Sequence, residues 1–369
     1  MLDTTSALTR PGSLLTKNRL PRYTPWIILA AALVLGAALS ALIGFSVAAF
    51  AIFTAVLFVI GGTVATWIVE GRRHAVDRLA TNLVCGAFLL ALLPLVSVIF
   101  TVLVRGLPGL SPDFLLTSMG GMTGAVDNAT AENGTAVLGG AYHGIVGTLL
   151  ITFWATVISV PVGLLAAVYL VEYSRGGTLS RAITFFVDVM TGIPSIVAGL
   201  FAAAFFGLVF GPGTRTGFVA AVALSVLMIP VVVRSTEEML KIVPNELREA
   251  SYALGVRKWR TILKVVVPTA ISGIASGVTL AIARVIGETA PLLVTAGFVN
   301  TINFNVFSGW MSTLPTFIYR QLMSPTSPTN TDPSTQRAWA AALILIIMVM
   351  LLNLGARLIA RIFAPRTSR

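Results

Sequence analysis

Two opposite charges interrupt an otherwise uncharged run: Arg284 and Glu288 stand in GVTLAIARVIGETAPLLVTAG, residues 277–297. An arginine at the centre of a membrane helix costs about 2.5–3.5 kcal/mol on insertion scales. Such a cost implies an inward-facing position, a partner or a ligand. Glu288 lies one turn on, at i+4, so both share a face, where the two can partly neutralise each other. The arginine also offers a planar fork of donors suited to an oxyanion. An interhelical structural ion pair is the plainer alternative. A buried Glu/Arg pair can do acid–base work, but no nucleophile–base–metal constellation accompanies this one. The two histidines, His74 and His143, lie far apart, and the single cysteine, Cys85, sits in an apolar run. That excludes a disulfide within the chain and argues against a Cys/His metal site.

The elements that must position these charges are membrane spans. Hydrophobic residues make up 56% of the chain and charged ones 11%, against roughly 25% charged in soluble domains. Residues 338–356 and 144–171 carry no charge, and about 20 apolar residues suffice to cross a bilayer as a helix. The alternating ten-residue pattern of a barrel is missing. The expectation is an all-α polytopic bundle with spans near 26–46, 47–69, 79–104, 144–171, 182–210, 216–233, 265–296 and 338–360. With both termini cytoplasmic, the inner segments hold 20 of the 25 Lys/Arg, as the positive-inside rule requires. The net charge of +11 therefore encodes orientation rather than nucleic-acid binding. The basic start shows no cleavable signal pattern.

The organisation along the chain is read as follows. Residues 1–25 form a basic cytoplasmic tail. Residues 26–78 form a helical hairpin turning near Gly44, with the charged segment EGRRHAVDR (70–78) as linker. Residues 79–364 form the main transmembrane domain, with a cytoplasmic loop at 234–264, and 365–369 form a second tail. Outer loops cover 105–143 and 297–337. The latter ends in SPTSPTNTDPSTQR, a low-complexity stretch expected to be mobile. Asn128 and Asn133 open sequon triplets of the kind that arise easily by chance. Pro94, Pro161, Pro194 and Pro230 fall inside spans, where each frees a backbone carbonyl that neighbours or water must satisfy.

The informative inner segment is 234–268, which holds seven of the 25 basic residues. Pro244-Asn245 reads as a helix start with Asn245 as N-cap. Leu247, Ala250, Ser251 and Leu254 then make one face, while Glu246, Arg248 and Glu249 lie off it. Gly255 supplies a left-handed stop. A second short helix, about 257–264, leads to Pro268 and the next span. The small residues Ala250 and Ser251 would let a partner approach closely.

Glu249-Ala250-Ser251, three residues, Gly255, nine residues and Val265-x-Val267-Pro268 resembles the EAA motif of ATP-binding cassette importer permeases. Ser251 departs from the second alanine, and Val265 and Val267 from isoleucine and leucine. The resemblance implies that Glu249, Ala250, Ser251, Gly255 and Pro268 belong to a helix that docks on an ATPase. None of the four lysines follows a glycine, so no phosphate loop is present. The expectation is a transport subunit rather than an enzyme, binding no cofactor, with ATP and magnesium on a separate ATPase.

Residues 283–293, ARVIGETAPLL, are similar to the signature of permeases of the high-affinity phosphate import system, PstA type. Further matches begin at Pro161, Gly192, Pro230, Ser312 and Ala338, so the resemblance covers roughly 79–364. It implies that Arg234, Arg284 and Glu288, with Thr289 inside the signature, line a phosphate path. It also implies a bacterial inner-membrane location, a sister permease (PstC type), an ATPase dimer (PstB type) and an extracytoplasmic phosphate-binding protein (PstS type). Another oxyanion, such as sulfate or molybdate, is the alternative substrate, since an arginine fork alone does not choose. An ion-coupled transporter would favour inverted repeats, and no clear repeat is visible. The hairpin at 26–69 departs from the six-span family pattern. Peripheral packing is the preferred reading for it, with lipid binding and simple anchoring beside it.

Overall fold

A computed structural model describes residues 20–174 and 176–363. The described residues are helical, without a strand, because a bilayer leaves backbone groups only their own helix to bond with. Among the described residues seven helices are long and apolar enough to cross a membrane, and a bent pair makes an eighth if it counts as one span. The chain divides into two compact units, Met1–Ile99 and Phe100–Arg369.

In the first unit, α1 (Thr24–Leu42) and α2 (Val47–Glu70) form a hairpin. It turns at Gly44 with φ 90°, and Ser46 caps α2 by accepting from the Ala49 amide at 3.1 Å. The helices close on small residues, since a Cβ on Gly36 would lie 2.4 Å from Thr54 Oγ1. Helix α3 (Arg72–Gly106) begins directly after Gly71. The charged segment 70–78 is therefore not a linker. It holds no proline, and its side chains are compatible with a helical start that buries Ala75. The helix runs through Pro94 and on past Ile99.

The second unit opens with two short helices, α4 (Pro112–Leu116) and α5 (Gly124–Asn133). Helix α6 (Tyr142–Val168) follows and widens into a π-turn, Tyr169–Tyr173. Helices α7 (Thr178–Gly192) and α8 (Ser195–Phe210) meet at 109°. The expected single span 182–210 is thus broken. Pro194 pushes Ile193 into extended backbone, ψ 125°, where the proline ring disfavours a helical residue before it. Helix α9 (Gly217–Ile242) comes next, then α10 (Asn245–Ala253) and α11 (Lys258–Thr261). A second π-turn, Ile262–Val266, leads into α12 (Val267–Ile286). The chain ends in α13 (Ala290–Thr295), α14 (Leu314–Met323) and α15 (Asp332–Phe363).

Helix α9 is the hub, packing on α6, α7, α8, α12 and α13, and its most apolar stretch is 67% buried. Leu224, Met228 and Val232 fill the centre. Lipid supplies no hydrophobic drive between helices, so small residues that admit close contact hold them together. A Cβ on Gly163 would meet Val232 Cγ1 at 2.7 Å, and one on Gly277 would meet Ser235 Oγ at 2.3 Å.

The outer segment 324–337, expected to be mobile, is packed. Arg337 and Asp127 form an ion pair, each side chain only 1% exposed, and Arg337 also donates to the Leu138 carbonyl at 2.8 Å. Ser327 donates to Asn128 Oδ1 at 2.6 Å. The polar residues that read as low complexity are thus hydrogen-bonding partners that seat the segment on α5.

Candidate functional site

The arginines expected to line a path fall on two helices, α12 and α9. On α12, Arg284 is exposed on the surface of the chain. The helix stops at Ile286, and Glu288 and Thr289 lie half-buried in the break before α13. The helical i+4 pairing expected of Arg284 and Glu288 is therefore not formed. The cause is Pro291, whose ring would clash with the carbonyl of residue 287 in a continued helix, with Gly287 weakening the same turn. Among the described residues Arg284 makes no ion pair. Its fork of donors is free among the described residues.

On α9, Arg234 is held by two carboxylates. It pairs with Asp188 on α7 and donates to Glu237 Oε2 at 2.9 Å, one turn along its own helix. Glu237 in turn accepts from Lys241 Nζ at 2.7 Å. Asp188 sits four residues before the Gly192 end of α7, next to the 109° bend. The bend that breaks the span thus leaves a carboxylate beside Arg234. Sequence reasoning named Arg234 but missed Asp188. A lone aspartate in the run TFFVDVMTG was the available signal.

The inner segment forms α10 and α11 as expected, with two corrections. The N-cap position belongs to Pro244, and Asn245 is the first helical residue. Its side-chain oxygen accepts from Arg248 Nη1 at 3.3 Å instead of capping. Ser251 is buried rather than offered to a partner, and its hydroxyl lies 2.8 Å from Thr261 Oγ1. Glu249 and Ala250 are exposed, and so are Leu247 at 41% and Leu254 at 83%. Gly255 closes the helix at φ 72°. Its amide donates to the Tyr252 carbonyl at 2.9 Å, and the Val256 amide donates to the Ser251 carbonyl at 3.2 Å, the two bonds of a Schellman stop. Pro268 occupies the first turn of α12, directly after the π-turn.

Arg248 anchors this segment. Its Nε and Nη2 donate to Glu172 Oε1 at 3.0 and 2.8 Å, Nη2 to the Leu240 carbonyl at 3.0 Å, and Nη1 to the Val243 carbonyl at 2.6 Å. Leu240 lies in the last turn of α9, whose carbonyls have no helical partner. Glu172 belongs to the π-turn ending α6. One arginine thus ties α10 to the inner ends of α6 and α9, and Ser251 with Thr261 ties it to the start of the α12 span. Nearby, Lys258 Nζ sits 5.0 Å from the Tyr173 ring centroid. The sequence reading set Arg248 aside as lying off the apolar face.

This geometry invites comparison with known proteins. Residues 159–369 match the family of binding-protein-dependent transport system inner membrane components. The chain is similar to the phosphate transport system permease protein PstA 1 of Mycobacterium tuberculosis, with 46% identity over 298 residues, 81% of this chain and 91% of the relative. It is also similar to the phosphate transport system permease protein PstA of Yersinia pestis, with 37% identity over 291 residues, 79% of this chain and 92% of the relative. Among solved structures it matches the MetNI methionine ABC transporter in inward-facing form, with 22% identity and a TM-score of 0.46. That match covers 61% of this chain and 94% of the other.

Proposed function

The chain belongs to the binding-protein-dependent transport system inner membrane components, in the branch of the PstA phosphate permeases, and from that premise we propose that it is one half of the membrane path of an ATP-driven phosphate importer. It is a multi-pass membrane protein. A sister permease of PstC type completes the path, an ATPase dimer of PstB type drives it, and an extracytoplasmic binding protein of PstS type loads it. ATP and its magnesium belong to the ATPase. Both termini face the cytoplasm.

The observation that carries the coupling is the anchoring of α10. Its exposed face, with Leu247, Glu249, Ala250 and Leu254, has no partner among the described residues, while Arg248 and Ser251 fasten its other side to the π-turn after α6, to α9 and to α11, which leads into α12. A push on α10 therefore reaches the two helices that carry Arg234 and Arg284. ATP binding closes the ATPase dimer, α10 follows, and the path opens outward. Hydrolysis resets it. Each ligand drives the cycle only through its unequal affinity for the two states.

Phosphate meets Arg284 first, because that fork is unpaired and stands nearer the outer end of the antiparallel α9–α12 pair than Arg234 does. It next meets Arg234, where it competes with Asp188 and Glu237. The internal carboxylates close the inner part of the path to anions until the helices move.

ATP-driven uptake of labelled phosphate and labelled sulfate tests the assignment, in vesicles holding the two permeases, the ATPase and the binding protein. Wild type is expected to take up phosphate and not sulfate. Arg284→Gln is expected to lose at least about tenfold in uptake with assembly intact, since a charged hydrogen bond contributes about 1.5–3 kcal/mol. Sulfate uptake would keep the machine and discard the substrate. Unchanged phosphate uptake by the variant would remove Arg284 from the path.

A further inference from the structure

The hairpin unit contains a cavity of about 140 Å³, part polar and part apolar, that the proposed permeation path does not use. Thr24 of α1, Arg78 and Asn82 of α3 form its polar side, and Ile28 and Phe58 its apolar side. Arg78 and Asn82 are one turn apart on the same face of α3. Both side chains are half-buried, and neither has a hydrogen-bond or ion-pair partner among the described residues. Thr66, which also borders the cavity, spends its hydroxyl donor on the Gly62 carbonyl at 2.7 Å. The acid that ends α2, Glu70, accepts from the Leu20 amide at 2.7 Å, and no carboxylate lines the cavity. Among the described residues, a guanidinium, a carboxamide and a hydroxyl without acidic partners thus line one space. That is the donor set of a site for a tetrahedral oxyanion.

The depth of the cavity identifies the source of the anion. It lies at the end of the hairpin where α1 begins, α2 ends and α3 begins. Tyr23, Trp26 and Trp67 mark that same end, each more than 60% exposed, and tyrosine and tryptophan concentrate at the membrane–water boundary. Lipid phosphodiesters sit at that level. The apolar wall of Ile28 and Phe58 continues from the polar side toward the spans, as a ligand with an acyl chain requires. The absence of a carboxylate leaves nothing for the ammonium of a zwitterionic headgroup. We propose that this cavity binds the phosphodiester headgroup of an anionic lipid through Arg78, Asn82 and Thr24, giving the added hairpin a lipid-specific seat separate from the phosphate path.

Native mass spectrometry and thermal melts of the full-length chain, purified with its sister permease in neutral detergent, test the site. The probes are phosphatidylglycerol, phosphatidylcholine and inorganic phosphate. Phosphatidylglycerol is expected to be retained and to raise the melting temperature, while phosphatidylcholine and inorganic phosphate do neither. Arg78→Gln should weaken phosphatidylglycerol retention by about fivefold, the equivalent of the ~1 kcal/mol that one basic residue contributes at an anionic surface, and Asn82→Leu should weaken it by a similar factor through loss of a hydrogen bond of about 1 kcal/mol. Arg73→Gln, an exposed charge outside the cavity, should leave retention unchanged. Equal losses for Arg73→Gln and Arg78→Gln would reduce the effect to general surface charge and overturn the site. A melting shift with inorganic phosphate as large as with the lipid would overturn the lipid as occupant. Both readouts are independent of phosphate uptake.

Discussion

At the scale of the residue, the decisive question is which charges in the spans are already neutralised. Among the described residues Arg284 has no ionic partner, whereas Arg234 has two. Spacing alone predicted the reverse emphasis, because an i+4 count presumes a continuous helix and could not register the stop that Gly287 and Pro291 impose. The partner that matters, Asp188, is 46 residues from Arg234, and nothing local in sequence links them. Their side chains are 36% and 58% exposed, so the pair contributes only about 0.2–1 kcal/mol. Asp188→Asn should therefore raise ATP-independent leak of preloaded labelled phosphate modestly, by about two- to fivefold at the upper end of that range. Asp188→Glu should restore the tight state. An unchanged leak, with the complex assembled, would make Asp188 a strut between α7 and α9 and nothing more. The buried pair of Arg337 and Asp127 was equally hidden. Arg337 was legible as an outer-edge charge, but its partner stands 210 positions away.

At the scale of the element, the inner segment was the most legible part of the chain. The periodicity of a short helix, a glycine stop and a second helix all follow from local rules, and Gly255 does adopt φ 72°. The direction each face points was not legible, since it depends on Thr261 and Glu172, which other elements bring up. That distinction shapes the test of docking. A Cβ at Gly255 meets no atom within 4 Å, so a substitution disturbs the chain only through backbone strain of about 1–2 kcal/mol. Asparagine and aspartate tolerate the left-handed region better than other residues, and they differ in charge. Gly255→Asn should keep most ATP-driven uptake. Gly255→Asp should lose it while still inserting in the membrane, with the ATPase no longer co-purifying. Normal ATPase binding by Gly255→Asp would refute α10 and its stop as the docking surface. Equal loss in both variants would assign the defect to strain instead.

At the scale of the whole molecule, hydropathy gave the span count because length and lack of charge are one-dimensional properties. What it could not give is the state of each break. Pro94, Pro161 and Pro230 sit inside continuous helices, while Pro194 parts two helices at 109°. A proline frees a carbonyl in every case, and only the neighbours decide whether the helix carries on. The hairpin raises the same issue for function. Helices α1 and α2 pack on each other through Gly36 and Thr54, and no charge occurs from Trp26 to Val69. Every charge assigned to the path, to docking and to the anchoring of α10 lies at or beyond residue 172. The three arginines at 72, 73 and 78 remain after removal of residues 1–69 and still orient α3 by the positive-inside rule. A chain lacking residues 1–69 should thus insert in the same orientation and keep phosphate uptake within about twofold, a change under ~0.5 kcal/mol in the transport barrier. The same truncation should abolish selective retention of phosphatidylglycerol, because Thr24, Ile28 and Phe58 leave with it. Loss of uptake at normal expression and assembly would make the hairpin part of the transport machine. Retained uptake together with lost lipid selectivity would separate the two roles, leaving transport to the second unit and the lipid seat to the first.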